Sequence, residues 1–159
     1  MFIGEYNHNL DEKNRLAIPA KFRAVLAKGA VVTRGLDSCL FLYSKTAWQE
    51  LADKLAKLPI SQSNTRAFSR LMLAGAMDVV LDKQGRIILP DYLKQYASLK
   101  KKVVITGLMN RLEIWDEETW EKYKANTEKN SGDIAEALGE LGVWNNFKFR
   151  IQNFKLIQN

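Results

Sequence analysis

Histidine and cysteine are nearly absent from the sequence, where His8 and Cys39 each stand alone. No cluster of imidazoles and thiolates is available to hold a zinc ion, and a nucleophilic triad with a histidine base would rest wholly on His8. A lone thiol excludes an intramolecular disulfide. Within the apolar run Cys39-Leu40-Phe41-Leu42-Tyr43 it reads as a small core residue. Neither the GxGxxG pattern nor a P-loop pattern occurs, so no glycine-rich loop is present to cradle a nucleotide phosphate. The carboxylates Asp116-Glu117-Glu118 fall where a helix start explains them. No apolar run reaches the roughly 18 residues of a membrane span, and the first residues lack the basic and apolar regions of a signal peptide. Together these gaps lead us to expect no enzyme activity, cofactor, metal, small-molecule substrate or membrane contact, and a cytoplasmic protein.

Proline is scarce too, and two of the three prolines close copies of one motif. Leu10-Asp11-Glu12-Lys13-Asn14-Arg15-Leu16-Ala17-Ile18-Pro19 returns as Leu81-Asp82-Lys83-Gln84-Gly85-Arg86-Ile87-Ile88-Leu89-Pro90. The offset is 71 residues here and 72 at Gly35/Gly107, Leu36/Leu108, Leu40/Leu112 and Trp48/Trp120, so one inserted residue separates two copies of a larger unit. A 159-residue chain is short for two ordinary domains, and two half-size repeats sharing one core are the expected solution.

The net charge of +6 is uneven. Residues 1–72 carry eleven Lys and Arg against six acids, residues 73–143 ten against twelve, and residues 144–159 three against none. Such a balance serves ordinary solubility equally well, but a bound polyanion would be drawn more to the first half.

Hydrophobic periodicity predicts a strand over 2–10, a bend at 11–15, a short strand at 16–18 and a helix over 20–27 opened by Pro19 and stopped near Gly29. Strands at 30–33 and 39–43 follow, then a helix at about 47–57 capped by Ser44 or Thr46, and a helix around Phe68, Leu71 and Met72 carrying Arg66 and Arg70 on its other face. The second half repeats the programme with strands at 77–81, 87–89, 103–106 and 112–115, a helix after Pro90 and another capped by Asp116. A last short helix is expected from Ser131. Residues 144–159, rich in aromatics, Asn and basic residues, have no repeat partner. A foreign extension, a mobile tail and an extra contact arm all fit them, with the tail slightly preferred.

The doubled Asp-x-x-x-Arg carries the chemistry. Its fourth position is Asn14 in one copy and Gly85 in the other, the residue types that most readily take positive φ, so each copy predicts a tight hairpin bend. The Asp can accept backbone N–H groups within the bend or pair with the following Arg, and a turn lock of this kind could be the motif's whole purpose. The bends also crowd Lys13, Asn14 and Arg15, and Lys83, Gln84 and Arg86, onto two tips. Arg reads guanine bidentately, Asn and Gln can read adenine, Lys contacts phosphate, and a β-ribbon fits a major groove.

With its opening Met1-Phe2-Ile3-Gly4-Glu5-Tyr6, the two motifs each closing on Pro and their spacing of about 70 residues, the sequence resembles the MraZ family, one of the AbrB-like swapped-hairpin transcription factors, from residue 1 to about residue 143. The resemblance implies an α+β fold in which two pseudo-symmetric βαββ-like repeats, 1–75 and 76–143, form one AbrB-like swapped-hairpin barrel with flanking helices. Residues 144–159 fall outside it. It further implies a homo-oligomeric ring with the hairpins on one face. Such a ring binds double-stranded DNA at promoter direct repeats upstream of the division and cell-wall gene cluster, its own gene included, and so associates with the nucleoid. By the same resemblance Arg15 and Arg86 are the leading DNA contacts, with Lys13, Asn14, Lys83 and Gln84 beside them and Asp11 and Asp82 orienting them. Arg15, in the basic half, is expected to matter more than Arg86. The alternative is a ring-forming scaffold without DNA affinity, which steep salt dependence of DNA binding would rule out.

Overall fold

The computed structural model describes residues 1–139 and 141. Its strands are β1 (Phe2–Asn9), β2 (Arg15–Ala17), β3 (Ala30–Arg34), β4 (Leu40–Ser44), β5 (Met77–Val79), β6 (Arg86–Ile88), β7 (Lys102–Met109) and β8 (Leu112–Asp116). The helices are α1 (Arg23–Leu26), entered through a 3-10 turn at Ala20–Phe22, α2 (Lys45–Ala56), α3 (Ser63–Ser69), α4 (Asp91–Tyr96), α5 (Glu117–Lys129) and α6 (Ser131–Gly139). One compact unit spans Met1–Trp120 and a second begins at Glu121. In the second, Asn130 joins α5 to α6, its backbone N–H donating to Asn126 and its carbonyl accepting from Ile134. No described helix is long and apolar enough to cross a membrane.

All strand pairing in the first unit is antiparallel, and the repeats exchange strands. The large sheet runs β1-β7-β8-β4-β3-β5, while β2 and β6 form a separate ribbon. Reversing the large sheet's order while exchanging the repeats restores the same order, so a pseudo-twofold passes between β4 and β8. The registers locate it. Leu40 faces Ile114 and Leu42 faces Leu112 around a central Phe41–Glu113 pair, and in the ribbon Arg15 faces Ile88 and Ala17 faces Arg86 around a central Leu16–Ile87 pair.

The strands do not close into the expected barrel. Strands β1 and β5 are free edges of an open six-stranded sheet, and a single Leu10–Leu16 bridge links the sheet to the ribbon. The ribbon strands are three residues long. Each is cut off soon after its end by a proline, which cannot donate to a ladder.

The central strands are buried on both faces, which explains their unbroken apolar runs. Leu40, Leu42, Ile105, Leu112 and Ile114 face one core together with Leu16, Ile87, Phe22 and Leu93 from the ribbon and its helices. Cys39, Phe41, Tyr43, Val104 and Trp115 face the other, beside Leu55, Trp48 and Trp120. There burial first, then the Glu113 and Asp37 carboxylates, push the Cys39 thiol far above its ordinary range, and it is an inert core residue.

Two local features differ from the sequence reading. Of the two caps the sequence offered, Ser44 serves, its Oγ accepting the Ala47 N–H at 3.3 Å, so helix α2 starts at Lys45, two residues before the expected start. After α3 the chain widens into a π-turn over Arg70–Ala74. There the buried Thr33 hydroxyl donates to the Met72 carbonyl at 2.6 Å, and a side chain that claims a helical carbonyl opens the ladder locally.

Candidate nucleic-acid interface

Each bend is a closed hydrogen-bonded unit, built the same way twice. In the first, Asp11 N–H donates to the Arg15 carbonyl at 3.1 Å and Asn14 N–H to the Asp11 carbonyl at 3.0 Å. Asp11 Oδ1 accepts the backbone N–H groups of Lys13 and Arg15 at 2.9 and 2.8 Å, and Oδ2 accepts Arg15 Nε at 2.6 Å. In the second, Asp82 Oδ1 accepts Gln84 and Arg86 N–H, both at 2.9 Å, and Oδ2 accepts Arg86 Nε at 2.8 Å. Asn14 at φ 58° and Gly85 at φ 74° supply the left-handed residue each bend needs. Hydrogen bonds from the Arg backbone N–H first, then the Arg side chain and the neighbouring N–H, hold both Asp carboxyls below their ordinary value.

This lock orients the two arginines without using up their forks. The carboxylate takes Nε, and among the described residues the Nη groups of Arg15 and Arg86 have no hydrogen-bond partner. Strand alternation puts Leu16 and Ile87, both fully buried, on the core side of the ribbon. Arg15, Ala17, Arg86 and Ile88 consequently share its outer face. Arg15 and Arg86 are diagonal neighbours there, about 7–8 Å apart at Cα by ordinary sheet geometry. Ile88 beside them is 63% exposed. At the two ends of the ribbon Lys13, Lys83 and Gln84 stand in solvent, and among the described residues neither lysine is in an ion pair.

Asn14 is the expected contact residue whose side chain is otherwise engaged. Its Nδ2 donates to Asp91 Oδ1 at 2.6 Å and its Oδ1 accepts Lys94 Nζ at 3.2 Å, both from α4 of the other repeat. The amide expected to face a base instead fastens the bend to α4. Gly85 meets the equivalent helix of the first repeat differently. A Cβ there would run into the Arg23 guanidinium, which is anchored by Nε donating to the Ile18 carbonyl at 2.8 Å. Burial, and after it the nearby Arg23, lowers the pKa of His8 below its ordinary value. Arg23 and Lys94 are the site residues that sequence reasoning missed. The 71-residue offset marks them as equivalent positions, each four residues after a motif proline, but not as neighbours of the bends.

Comparison with known proteins agrees with this architecture. The family model described as "MraZ protein, putative antitoxin-like" matches twice, over residues 1–71 and 72–140. The chain is 48% identical over 143 residues to a protein of Natranaerobius thermophilus and 49% identical over 143 residues to one of Pediococcus pentosaceus. It is also 47% identical over 144 residues to a protein of Clostridium acetobutylicum. Each alignment covers 90% of this chain and the whole of the relative, and each relative is named "Transcriptional regulator MraZ".

Proposed function

The chain belongs to the MraZ family, and from that premise we propose that it is a transcriptional regulator, not an enzyme, that reads double-stranded DNA with the outer face of its β2–β6 ribbon. One observation supports this above the others: two Asp-locked arginines lie on a single exposed face with their Nη groups unengaged. A two-stranded ribbon fits the roughly 12 Å width of the major groove, where the arginine fork matches guanine O6 and N7. In this reading Arg15 and Arg86 contact base edges. Lys13, Lys83 and Gln84 contact the flanking backbone, and Asn14 acts by holding its bend. Asp11 and Asp82 orient the arginines. Ile88 is placed to meet a thymine methyl group.

The DNA target in this reading is a set of promoter direct repeats upstream of the division and cell-wall gene cluster, the protein's own gene included. The site of action is the cytoplasmic nucleoid. The two repeats, 1–75 and 76–143, act as one structural domain, and copies of the chain assemble into a homo-oligomeric ring that presents ribbons in succession. A rotational arrangement of this kind suits direct repeats, as a twofold dimer suits a palindrome.

The test is a gel shift on duplex DNA from upstream of the protein's own gene. Arg15→Ala and Arg86→Ala are each expected to weaken binding by about 1–3 kcal/mol, the worth of one bidentate base pairing, with the fold unchanged by circular dichroism. Wild-type affinity should fall steeply with salt. DNA binding that ignores both substitutions would sink the proposal, and absence of any DNA affinity would leave the scaffold reading.

A further inference from the structure

Helix α6 carries an apolar stripe with no core beneath it. Ile134 and Leu138 stand one turn apart, Leu141 follows three residues on, and the three are 43%, 39% and 71% exposed. No residue of α6 is buried. A helix this short is marginal in water by itself and draws most of its stability from a surface packed on its apolar face. Past Leu138 the chain begins to turn, the Leu141 N–H donating to the Leu138 carbonyl at 3.1 Å, and Gly139 and Gly142 bracket that turn. The family match stops at residue 140, and the segment that follows belongs to the same compact unit as α6.

We propose that residues 144–159 return along α6 and cover its apolar stripe, as a contact arm within the same chain. Spacing and charge both select this occupant. Going backward from Gly142 and Val143, the stripe falls at Leu141, Leu138 and Ile134, in steps of three and four. Going forward, Trp144, Phe147 and Ile151 follow the same steps. A chain folded back at the glycine therefore sets Leu141 against Trp144, Leu138 against Phe147 and Ile134 against Ile151, as two facing surfaces of helical spacing joined by a short loop do. Neither Gly nor Pro interrupts 144–159. Residues 131–143 hold Asp133, Glu136 and Glu140 with no Lys or Arg, whereas residues 144–159 hold Lys148, Arg150 and Lys155 with no acid. Three negative charges then face three positive ones. A second copy of α6 would offer the same stripe but bring acid against acid, which costs energy. Covering the stripe also removes an exposed apolar patch of the kind that invites association.

Hydrogen–deuterium exchange on the full-length protein, read on peptides spanning 131–141 and 144–157, tests the contact. In wild type the amides of 144–154 are expected to exchange more slowly than in a free peptide of the same sequence. Phe147→Ser should speed exchange across α6 by about tenfold or more, the change that loss of one buried apolar side chain produces when exchange follows local opening. Peptides from the sheet should not change. A Lys148→Gln, Arg150→Gln, Lys155→Gln triple variant should act in the same direction, and about 1 M salt should mimic it in wild type by screening the attraction.

Cross-linking then identifies whose arm it is. In a Leu138→Cys, Phe147→Cys variant, diamide is expected to take the two thiol hydrogens and leave a disulfide within one chain, with the chain's mass lower by two hydrogens. Cys39 stays out of the reaction because burial keeps its thiol protonated. Glu136→Cys with Phe147→Cys, from the other side of α6, should link far less. A disulfide joining two chains would make the stripe an interface between copies and overturn the intrachain contact. Exchange of 144–154 at the free-peptide rate, or α6 exchange that ignores Phe147→Ser, overturns the arm. Protection of 144–154 that arises only on addition of duplex DNA overturns it too, in favour of a nucleic-acid contact. Should the cysteine variant fail to fold, exchange in wild type and in Phe147→Ser decides the matter.

Discussion

Asp11 and Asp82 each accept two backbone N–H groups and one guanidinium Nε–H, which links the stability of the bends to pH. Their carboxyls sit below the ordinary value of 3.8 in the folded chain. The unfolded chain therefore takes up protons first as pH falls. The stability these groups contribute is complete above 3.8 and is lost as pH drops through the lower folded values. An Asp11→Asn, Asp82→Asn double variant keeps the Oδ1 acceptors but gives up the ion pairs. It is expected to melt below wild type at neutral pH, with the difference closing as pH falls beneath 3.8. Thermal melts from neutral pH down to about 2.5 check this, and a gap that persists at the acid end would show that these carboxylates do not carry it. The same variant should bind DNA more weakly at neutral pH, since its arginines lose the bond that aims them.

The ribbon is the element both bends share, and its centre is the Leu16–Ile87 pair, both fully buried. Two further bonds, one at each bend, tie the bends to the opposite strands: Ile18 N–H to the Gly85 carbonyl and Leu89 N–H to the Asn14 carbonyl, both at 2.9 Å. Leu16→Ala and Ile87→Ala are consequently expected to destabilise the chain by similar amounts, about 2–5 kcal/mol each, although they belong to different repeats. Urea unfolding measures this, and a large effect from one with none from the other would refute the shared core. The bends themselves were legible in the sequence because a turn is local chemistry: Asp accepts N–H groups two and four residues on, and Asn or Gly takes positive φ. What faces each bend was not legible. Asn14 meets Asp91 across 77 residues and Gly85 meets Arg23 across the repeats, and no local periodicity encodes such pairings. Counting charge by halves leaves that exchange out for the same reason. Strand exchange puts Arg23 of the basic half against Gly85 in the bend of the acidic half. The π-turn at Arg70–Ala74 was likewise hidden, because it depends on a hydroxyl 39 residues earlier in the chain.

One ribbon face offers two arginines and a few flanking cations, so if it reads DNA as proposed, a single chain would hold a duplex only weakly at physiological salt. Under the proposed function useful affinity would come from several ribbons on one duplex, where each engagement after the first is intramolecular and multiplies binding by about 10²–10⁴ overall. That gain depends on geometry, because identical ribbons presented at fixed intervals can meet successive direct repeats only if those repeats lie on a common face of the duplex. B-DNA turns once per about 10–10.5 base pairs, so inserting about five base pairs between two repeats carries the second to the opposite face. Ten inserted pairs restore its direction but lengthen the span. Duplexes with one repeat, two repeats at native spacing, and two repeats with either insertion should therefore separate the contributions in a binding titration. The native pair is expected to bind at least a hundredfold tighter than the single repeat, and the five-pair insertion to fall back to the single-repeat value. The ten-pair insertion recovers affinity only as far as the assembly flexes. Affinity that rises with repeat number but ignores spacing would mean that independent chains bind each repeat, and it would remove the fixed assembly from the mechanism while leaving the ribbon as its reading head.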